Sequence, residues 1–272
     1  MKKNILCIAL LVVSLTILFA YNKRTEAQTD TVAPVLTCDT NEIYASVSEV
    51  TDEFLLQGVH ATDDRCGDVS DSLVVQSISN FIKEDMVIVT YAAVDDDNNV
   101  GRLERKLIYT DYKEPIFSLK RPLMYAAGTS VKFLGNIQAT SSIDGDITTQ
   151  IRYGLDNIVD NNTPATYPIT FRVTDSNGKT SYLDTEIVIY NNLYAGIDIE
   201  LTKYLTYIPK GSNFDETIAE KYFKRASVEM DDETELIIDC NVDTSTPGVY
   251  SVDYTINSVN ISGKSRLVVV VQ

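Results

Sequence analysis

The chain has 272 residues, enough for two or three domains of about 100 to 150 residues each. Its formal net charge of −16 at pH 7 repels the phosphate backbone of nucleic acids and argues against a nucleic-acid partner. Hydrophobic residues make up 44% of the composition, which is enough to build folded cores and argues against a disordered protein.

Residues 1–27 are predicted to form an export signal. Lys2 and Lys3 precede a 17-residue apolar run, Ile5–Tyr21, and a polar stretch that ends at Ala27. The run is longer than the roughly 7 to 15 apolar residues of a cleaved signal and reaches the lower limit of about 17 for a spanning helix. Two outcomes therefore stay open. The segment is either cleaved after Ala27, giving a secreted protein, or kept as a transmembrane anchor with the remaining chain outside the cell.

An internal repeat organises the rest of the chain. Residues 61–69 match residues 139–147, because both have Ala-Thr, four further residues and then Gly-Asp followed by an aliphatic side chain. Residues 163–167 and 246–250 share the pattern Thr-Pro-x-x-Tyr. These matches indicate three copies of one structural unit.

Apolar residues alternate with polar ones beside these repeated segments, which is typical of strands with one buried face. The alternating positions are Val87, Val89, Tyr91 and Ala93 in the first copy, Ile169, Phe171 and Val173 in the second, and Val252, Tyr254 and Ile256 in the third. Turns rich in Asp and Asn follow at 95–99 and 175–178, and a last strand is predicted at 103–109, 183–190 and 266–271.

The copies are predicted to be modules at 33–113, 114–192 and 193–272. About seven short strands in about 80 residues favour a β-sandwich. The predicted fold is therefore all-β, with three tandem immunoglobulin-like β-sandwich modules after an N-terminal hydrophobic helix.

The repeat resembles a known family. The segment 61–69, the pattern Tyr-x-Ile-x-Phe-x-Val-x-Asp-x-x-Gly at 167–178 and the closing strand are similar to bacterial immunoglobulin-like modules of the type found in a pesticidal crystal toxin and related to hyalin repeats. The resemblance covers about residues 33–272 and is weakest in the third copy, which lacks the Gly-Asp step. It implies accessory modules on an exported protein rather than an enzyme.

The resemblance also implies a disulfide. Cys38 and Cys66 are placed like the paired cysteines of some hyalin-repeat modules. Cys240 has no partner in the third copy and is predicted to be a buried small hydrophobic residue.

No catalytic residue is predicted. His60 is the only histidine, and nothing near it in the sequence resembles a nucleophile elbow or an oxyanion loop. A zinc site would need His60 together with cysteines from two modules. The acidic residues are too numerous for any glycosidase-like carboxylate pair to stand out.

Calcium is the one cofactor for which the sequence offers candidates. Hard oxygen ligands in loops suit Ca²⁺, although Asp and Asn are also what turns prefer. The candidate ligands are Asp63, Asp64, Asp68, Asp95 and Asp97 in the first module and Asp144, Asp146 and Asp175 in the second.

Two functions are compatible with these features. The first is a surface protein whose modules act as spacers and adhesion or binding units for an unknown protein or glycan. The second is a carbohydrate-binding accessory protein of an exported polysaccharide-degrading system. Candidate binding residues are Lys221, Tyr222, Lys224 and Arg225, a basic and aromatic cluster in an acidic chain. The alternative is that Tyr222 belongs to the core and the charges are ordinary surface residues.

Overall fold

The computed structural model describes residues 2–26, 30–230 and 233–272. It begins with helix α1 (Lys2–Glu26), which confirms the predicted N-terminal helix, and the chain divides into two compact units, 1–111 and 112–272. None of the helices in residues 2–26, 30–230 and 233–272 combines the length and the hydrophobicity that a membrane span requires. The apolar run in α1 is 17 residues long, which equals the minimum length of about 17 residues for a spanning helix.

The first sandwich consists of a three-stranded sheet, in the order β1-β3-β4, and a four-stranded sheet, in the order β2-β7-β6-β5. Its elements are β1 (Val35–Cys38), β2 (Glu42–Ala45), α2 (Asp52–Leu56), β3 (Val59–Asp63), β4 (Gly67–Asp68), β5 (Val74–Ile78), β6 (Met86–Val94) and β7 (Val100–Tyr109). All strand pairs are antiparallel except β2 with β7.

The second sandwich repeats this topology without the α-helix, with sheets in the order β11-β10-β8 and β12-β13-β14-β9. Its strands are β8 (Ile116–Leu119), β9 (Met124–Ala126), β10 (Ile137–Ser141), β11 (Gly145–Asp146), β12 (Arg152–Leu155), β13 (Ala165–Thr174) and β14 (Thr180–Tyr190). The pair β14 and β9 is the parallel one.

The third sandwich has sheets in the order β15-β17 and β16-β20-β19-β18. Its elements are β15 (Ile199–Leu201), β16 (Leu205–Ile208), α3 (Glu216–Glu220), β17 (Phe223–Ala226), β18 (Glu235–Cys240), β19 (Gly248–Ser258) and β20 (Ile261–Val271). In the described residues it has no counterpart of β4 and β11, the strands formed by the Gly-Asp step. The fold class is therefore confirmed, while the module boundaries stay a prediction.

A long antiparallel hairpin forms the centre of each sandwich: β6 with β7, β13 with β14, and β19 with β20. The alternation seen in the sequence places one side chain of every two in the core. Tyr91, Phe171 and Tyr254 occupy corresponding positions on these hairpins, and all three are fully buried. Burying a large apolar side chain contributes about 1.5 to 3 kcal/mol, so each of these residues adds substantially to the stability of its sandwich.

The short helices α2 and α3 were not predicted, because five residues are too few to show a helical period. Each begins at a side-chain cap, since Thr51 Oγ1 accepts from Phe54 N at 3.2 Å and Asp215 Oδ1 accepts from Ile218 N at 3.0 Å.

Two buried tyrosines fasten these helices to the sheets. Tyr91 Oη donates to the Leu55 carbonyl at 2.9 Å, and Tyr254 Oη donates to the Ala219 carbonyl at 2.7 Å. The second sandwich has a 3-10 turn in this place and carries Phe171, which needs no acceptor.

We expect Tyr254→Phe to lower the free energy of unfolding by about 0.5 to 1.5 kcal/mol, because it removes a buried hydrogen bond to the Ala219 carbonyl, which is left with the bond from the Tyr222 N–H. The control is Tyr250→Phe on the same strand, where the lost hydrogen bond to the Thr246 carbonyl is exposed and the cost is small. Urea denaturation measures both. Equal destabilisation by the two variants would contradict the assigned role of Tyr254.

Gly101 permits a close backbone approach in the first sandwich. A Cβ at this position would overlap the carbonyl oxygen of Pro34, which lies directly against β7. Gly263 plays the same part in the third sandwich, where a Cβ would overlap the carbonyl oxygen of Ile197. The strand-to-strand approach therefore depends on the absence of a side chain at both positions.

We expect Gly101→Ala to lower the free energy of unfolding by about 1 to 3 kcal/mol, because the backbone must move to admit the methyl group. Gly154→Ala is the matched control, since nothing lies within 4 Å of a Cβ at that strand position. Thermal unfolding followed by circular dichroism compares the two. A Gly101→Ala protein as stable as the control would rule out the overlap.

Candidate ligand-binding groove and acidic loops

A groove of about 780 Å³ lies between the second and third sandwiches, inside the 112–272 unit. One wall is β8 with the two residues that follow it. The other wall is β15, β16 and the turn between them, and two side chains of β17 complete the rim. A groove of this size falls within the range of about 300 to 1,000 Å³ typical of ligand sites.

A hydrogen bond and an ion pair are among the contacts that connect the two sandwiches of the groove. The Phe117 backbone N–H on the edge strand β8 donates to Tyr207 Oη at 2.9 Å. Arg266 binds both carboxylate oxygens of Asp253 and also reaches Glu186 of the second sandwich at 3.1 Å. Only 16% of the Arg266 side chain is exposed, so this ion pair is better shielded from solvent than a surface pair.

The groove is rich in positive charge. Its lining has five basic and two acidic side chains, and all five basic residues are exposed. The basic residues are Lys120, Arg121, Lys203, Lys224 and Arg225, and the acidic ones are Asp198 and Glu200. A local excess of cations in a chain of net charge −16 makes this surface electrostatically distinct.

Glu200 neutralises part of that charge. Its carboxylate accepts from Lys224 Nζ at 2.6 Å and from Arg225 Nε at 2.5 Å, and these two hydrogen bonds lower the pKa of Glu200 to about 2. Within the described part of the chain, Lys120, Arg121 and Lys203 form no ion pair. These three side chains are therefore the cations left to meet a ligand.

The binding cluster predicted from the sequence is divided by the structure. Lys224 and Arg225 line the groove, whereas Lys221 ends helix α3 and does not. Tyr222 is half-buried and structural, because its carbonyl accepts from Thr202 N at 2.7 Å and its hydroxyl lies 3.1 Å from Thr206 Oγ1. Whether the four residues bind a ligand stays a prediction.

The acidic loops of the first sandwich bring together only part of the predicted calcium set. Asp63 and Asp64 lie with Asp30, and one carboxylate oxygen of each is within 4.8 Å of the others. The remaining three candidates have structural roles in their turns. Asp68 accepts from Ser70 N, Asp95 accepts from Asp97 N and from both nitrogens of Asn99, and Asp97 accepts from Asp30 N and Arg65.

In the second sandwich, all three predicted ligands already accept hydrogen bonds. Asp144 accepts from Ser176 N at 2.9 Å, and Asp146 accepts from Thr148 N at 2.9 Å. Asp175 is buried and accepts from Lys179 N at 2.8 Å and Tyr112 Oη at 2.6 Å. In its described residues, this sandwich has no acidic cluster like that of the first.

The predicted disulfide is wrong, because Cys38 and Cys66 are free thiols at opposite ends of the β1–β3 ladder. Cys38 pairs with Val59, the first residue of β3, whereas Cys66 comes three residues after Asp63, the last residue of β3. Four strand steps separate those ends by about 13 Å, whereas bonded cysteines need Cα atoms within about 7 Å.

The pKa of the Cys66 thiol is raised. The Asp96 N–H lowers this pKa, but burial and the negative charges of Asp96 and Asp63 raise it by more.

His60 lies at the surface, whereas Cys240 packs against the core. The His60 imidazole is exposed, with Nε2 3.8 Å from Asp39 Oδ1. Cys240 is half-buried at the end of β18 against the core, as a small apolar residue, and burial raises the pKa of its thiol.

Sequence reasoning missed two sets of residues. Lys120, Arg121 and Lys203 were not singled out, although a Lys-Arg pair beside a strand in an acidic chain was a usable signal. Asp30 lies before the predicted start of the first module at residue 33, so no repeat comparison included it.

Comparison with known proteins does not identify a family, since no family model matches the chain. A 98-residue segment is 28% identical to an uncharacterized 81.3 kDa protein of Acholeplasma phage L2, covering 35% of this chain and 13% of that protein. The repeat family expected from the sequence is therefore not confirmed.

The comparison with solved structures gives matches of low similarity. CBM51-2 with INT domains of Clostridium perfringens ZmpB, in complex with GlcNAc, is 15% identical over 55% of this chain and 26% of that one, with a TM-score of 0.23. Drosophila N-cadherin EC1-4 is 16% identical over 78% of this chain and 63% of that one, with a TM-score of 0.21. TM-scores this low carry no information on function.

We expect the Glu200 carboxyl group to titrate near pH 2 in the folded protein, against an ordinary value of 4.5. Its ion pairs contribute stability above pH 4.5, and that contribution is lost as the pH falls from about 4.5 towards 2. In Lys224→Ala, Arg225→Ala the Glu200 pKa should return towards 4.5, as measured by side-chain carboxyl NMR. An unchanged Glu200 pKa in that variant would refute the assigned cause.

Proposed function

We propose that this chain is an exported, non-catalytic surface protein whose immunoglobulin-like modules serve as spacers and as adhesion or binding units. Its binding surface is the groove between the second and third sandwiches. The observation that carries the proposal is the concentration of five basic side chains around one concave surface of an acidic chain. The N-terminal apolar run supports export.

The ligand that suits this groove is an acidic protein segment or an acidic glycan. Anions are attracted by Lys120, Arg121 and Lys203, and the net negative charge elsewhere on the chain repels them from other surfaces. Nucleic acid fits less well, because the same overall charge opposes a long polyanion that extends beyond the groove.

The carbohydrate-binding alternative differs in the chemistry of recognition. Neutral sugars stack on exposed aromatic rings, whereas Tyr204 is buried and Tyr207 is half-buried in this groove. An acidic polysaccharide would instead bind through its carboxylate or sulfate groups. Binding of neutral as well as acidic glycans would favour the accessory role.

The test is binding of the full chain to immobilised heparin, hyaluronate and polygalacturonate, with dextran as the neutral probe. We expect salt-sensitive binding to at least one acidic polysaccharide and none to dextran. The variant Lys120→Glu, Arg121→Glu, Lys203→Glu should lose at least about ten-fold in affinity, because it turns local attraction into repulsion.

A charge-matched control separates the groove from overall charge. Lys132→Glu, Arg152→Glu, Arg172→Glu makes the same change in net charge on exposed residues of the second sandwich outside the groove. It should retain nearly all of the affinity. Equal losses in the two variants would mean that total charge rather than the groove controls binding, and no binding to any acidic probe would remove the acidic-glycan ligand.

A further inference from the structure

Three carboxylates meet where the chain enters the first sandwich. Asp30 precedes β1, Asp63 ends β3 and Asp64 follows it, and one oxygen from each lies within 4.8 Å of the others. Within the described residues, no Lys, Arg or His forms an ion pair with any of the three. Arg65, the nearest basic residue in the sequence, pairs with Asp97 at 3.5 Å instead.

Asp63 keeps one buried oxygen without a hydrogen bond. The residue is 7% exposed, and its Oδ1 accepts from Arg65 N at 3.0 Å and Cys66 N at 2.7 Å. Its Oδ2 has no hydrogen-bond partner among the described residues, and neither does the buried Oδ2 of Asp30. Burying an unpaired carboxylate oxygen is unfavourable unless a hydrogen-bond donor or a cation meets it.

The second sandwich shows that the turn itself needs only one acceptor. Ser141 stands in the place of Asp63 in the repeat, and it is 6% exposed. Its Oγ accepts from Ile143 N at 3.1 Å and Asp144 N at 3.2 Å, which is the same pattern that Asp63 Oδ1 makes in the first sandwich. The second oxygen of Asp63 is therefore not required to build the turn.

Asp30 is held in position by the neighbouring turn. Its N–H donates to Asp97 Oδ2 at 3.1 Å, and its carbonyl accepts from Asn99 Nδ2 at 3.1 Å. The Asn99 side chain is in turn fixed by Asp95 Oδ2 at 2.8 Å. These contacts fix the backbone of Asp30, and its carboxylate Oδ1 accepts from Val32 N at 2.9 Å. The carboxylate is therefore oriented in advance, which reduces the entropy lost on binding an ion.

We propose that Asp30, Asp63 and Asp64 form a Ca²⁺ site in the first sandwich. Ca²⁺ takes six to eight oxygen ligands at about 2.3 to 2.6 Å, so two oxygens on one ion are at most about 5 Å apart. The observed separation satisfies that limit. Ca²⁺ would supply the missing charge for both unpaired oxygens and tie the entering chain to the end of β3. Asp68, Asp95 and Asp97 are not ligands at this site.

The test compares melting temperatures of the full chain in 10 mM CaCl₂, in EDTA and in MgCl₂ at equal ionic strength. With an affinity of about 10⁻⁴ to 10⁻³ M, as in extracellular calcium modules, we expect calcium to raise the Tm of the first unit by roughly 4 °C or more. Mg²⁺ should give a much smaller shift, because it requires a tighter octahedral shell. An equal shift with Mg²⁺ would overturn the calcium assignment.

The informative variant is Asp63→Ser, because Ser141 shows that serine builds the same turn. In EDTA this variant should be at least as stable as the wild type, since it removes an unpaired oxygen and its repulsion. In calcium it should be less stable than the wild type and show no Tm shift. This reversal of order distinguishes ligand loss from simple damage to the fold.

Asp64→Asn provides a second variant at an exposed position, and it should reduce calcium affinity by at least about ten-fold. Asp146→Asn is its control, with the same loss of charge in the equivalent loop of the second sandwich, and should leave the calcium response unchanged. The proposal fails if the wild type shows no Tm shift, or if Asp63→Ser and Asp64→Asn respond to calcium as the wild type does.

Discussion

Burial of one face of a long hairpin is the constraint on which the rest of this structure depends. In each sandwich the alternating side chains of the hairpin supply the core, and Tyr91, Phe171 and Tyr254 mark its centre. Because every second residue faces inward, the outward residues and the turns are left to meet solvent. The short helices, the acidic loops and the edge strands are all arranged around that buried face.

The repeat preserves the hairpin but varies what is attached to it. In the first and third sandwiches the central residue is a tyrosine, and its hydroxyl donates to a backbone carbonyl of a short α-helix. In the second sandwich the central residue is phenylalanine, and a 3-10 turn replaces the helix. The loop after β3 or β10 varies in the same way, with Asp63 in one copy and Ser141 in the other. In both cases the backbone geometry is retained and the number of polar atoms changes, so an equivalent position can gain a chemical role without a change of fold.

Opposite charges distinguish the two surfaces that we propose as binding sites. The groove of the 112–272 unit concentrates cations on a surface fixed by the Phe117–Tyr207 hydrogen bond and the Arg266 ion pairs. The first sandwich concentrates carboxylates where the chain leads into β1. A fixed arrangement of like charges is costly in the absence of a counter-charge, and for this reason both places are candidates for binding an oppositely charged partner.

The sequence by itself determined the repeat, the all-β class, the long hairpins and the N-terminal helix, because a period of two and matched Gly-Asp turns are local properties of the chain. Tertiary structure decided the sites. Cys38 and Cys66 are separated by the length of β3, which sequence spacing does not reveal. Lys120 and Lys203 are 83 residues apart and share a groove only because two sandwiches pack together. Asp30 joins Asp63 only after β1 has paired with β3, since contacts between distant segments depend on strand register rather than on local pattern.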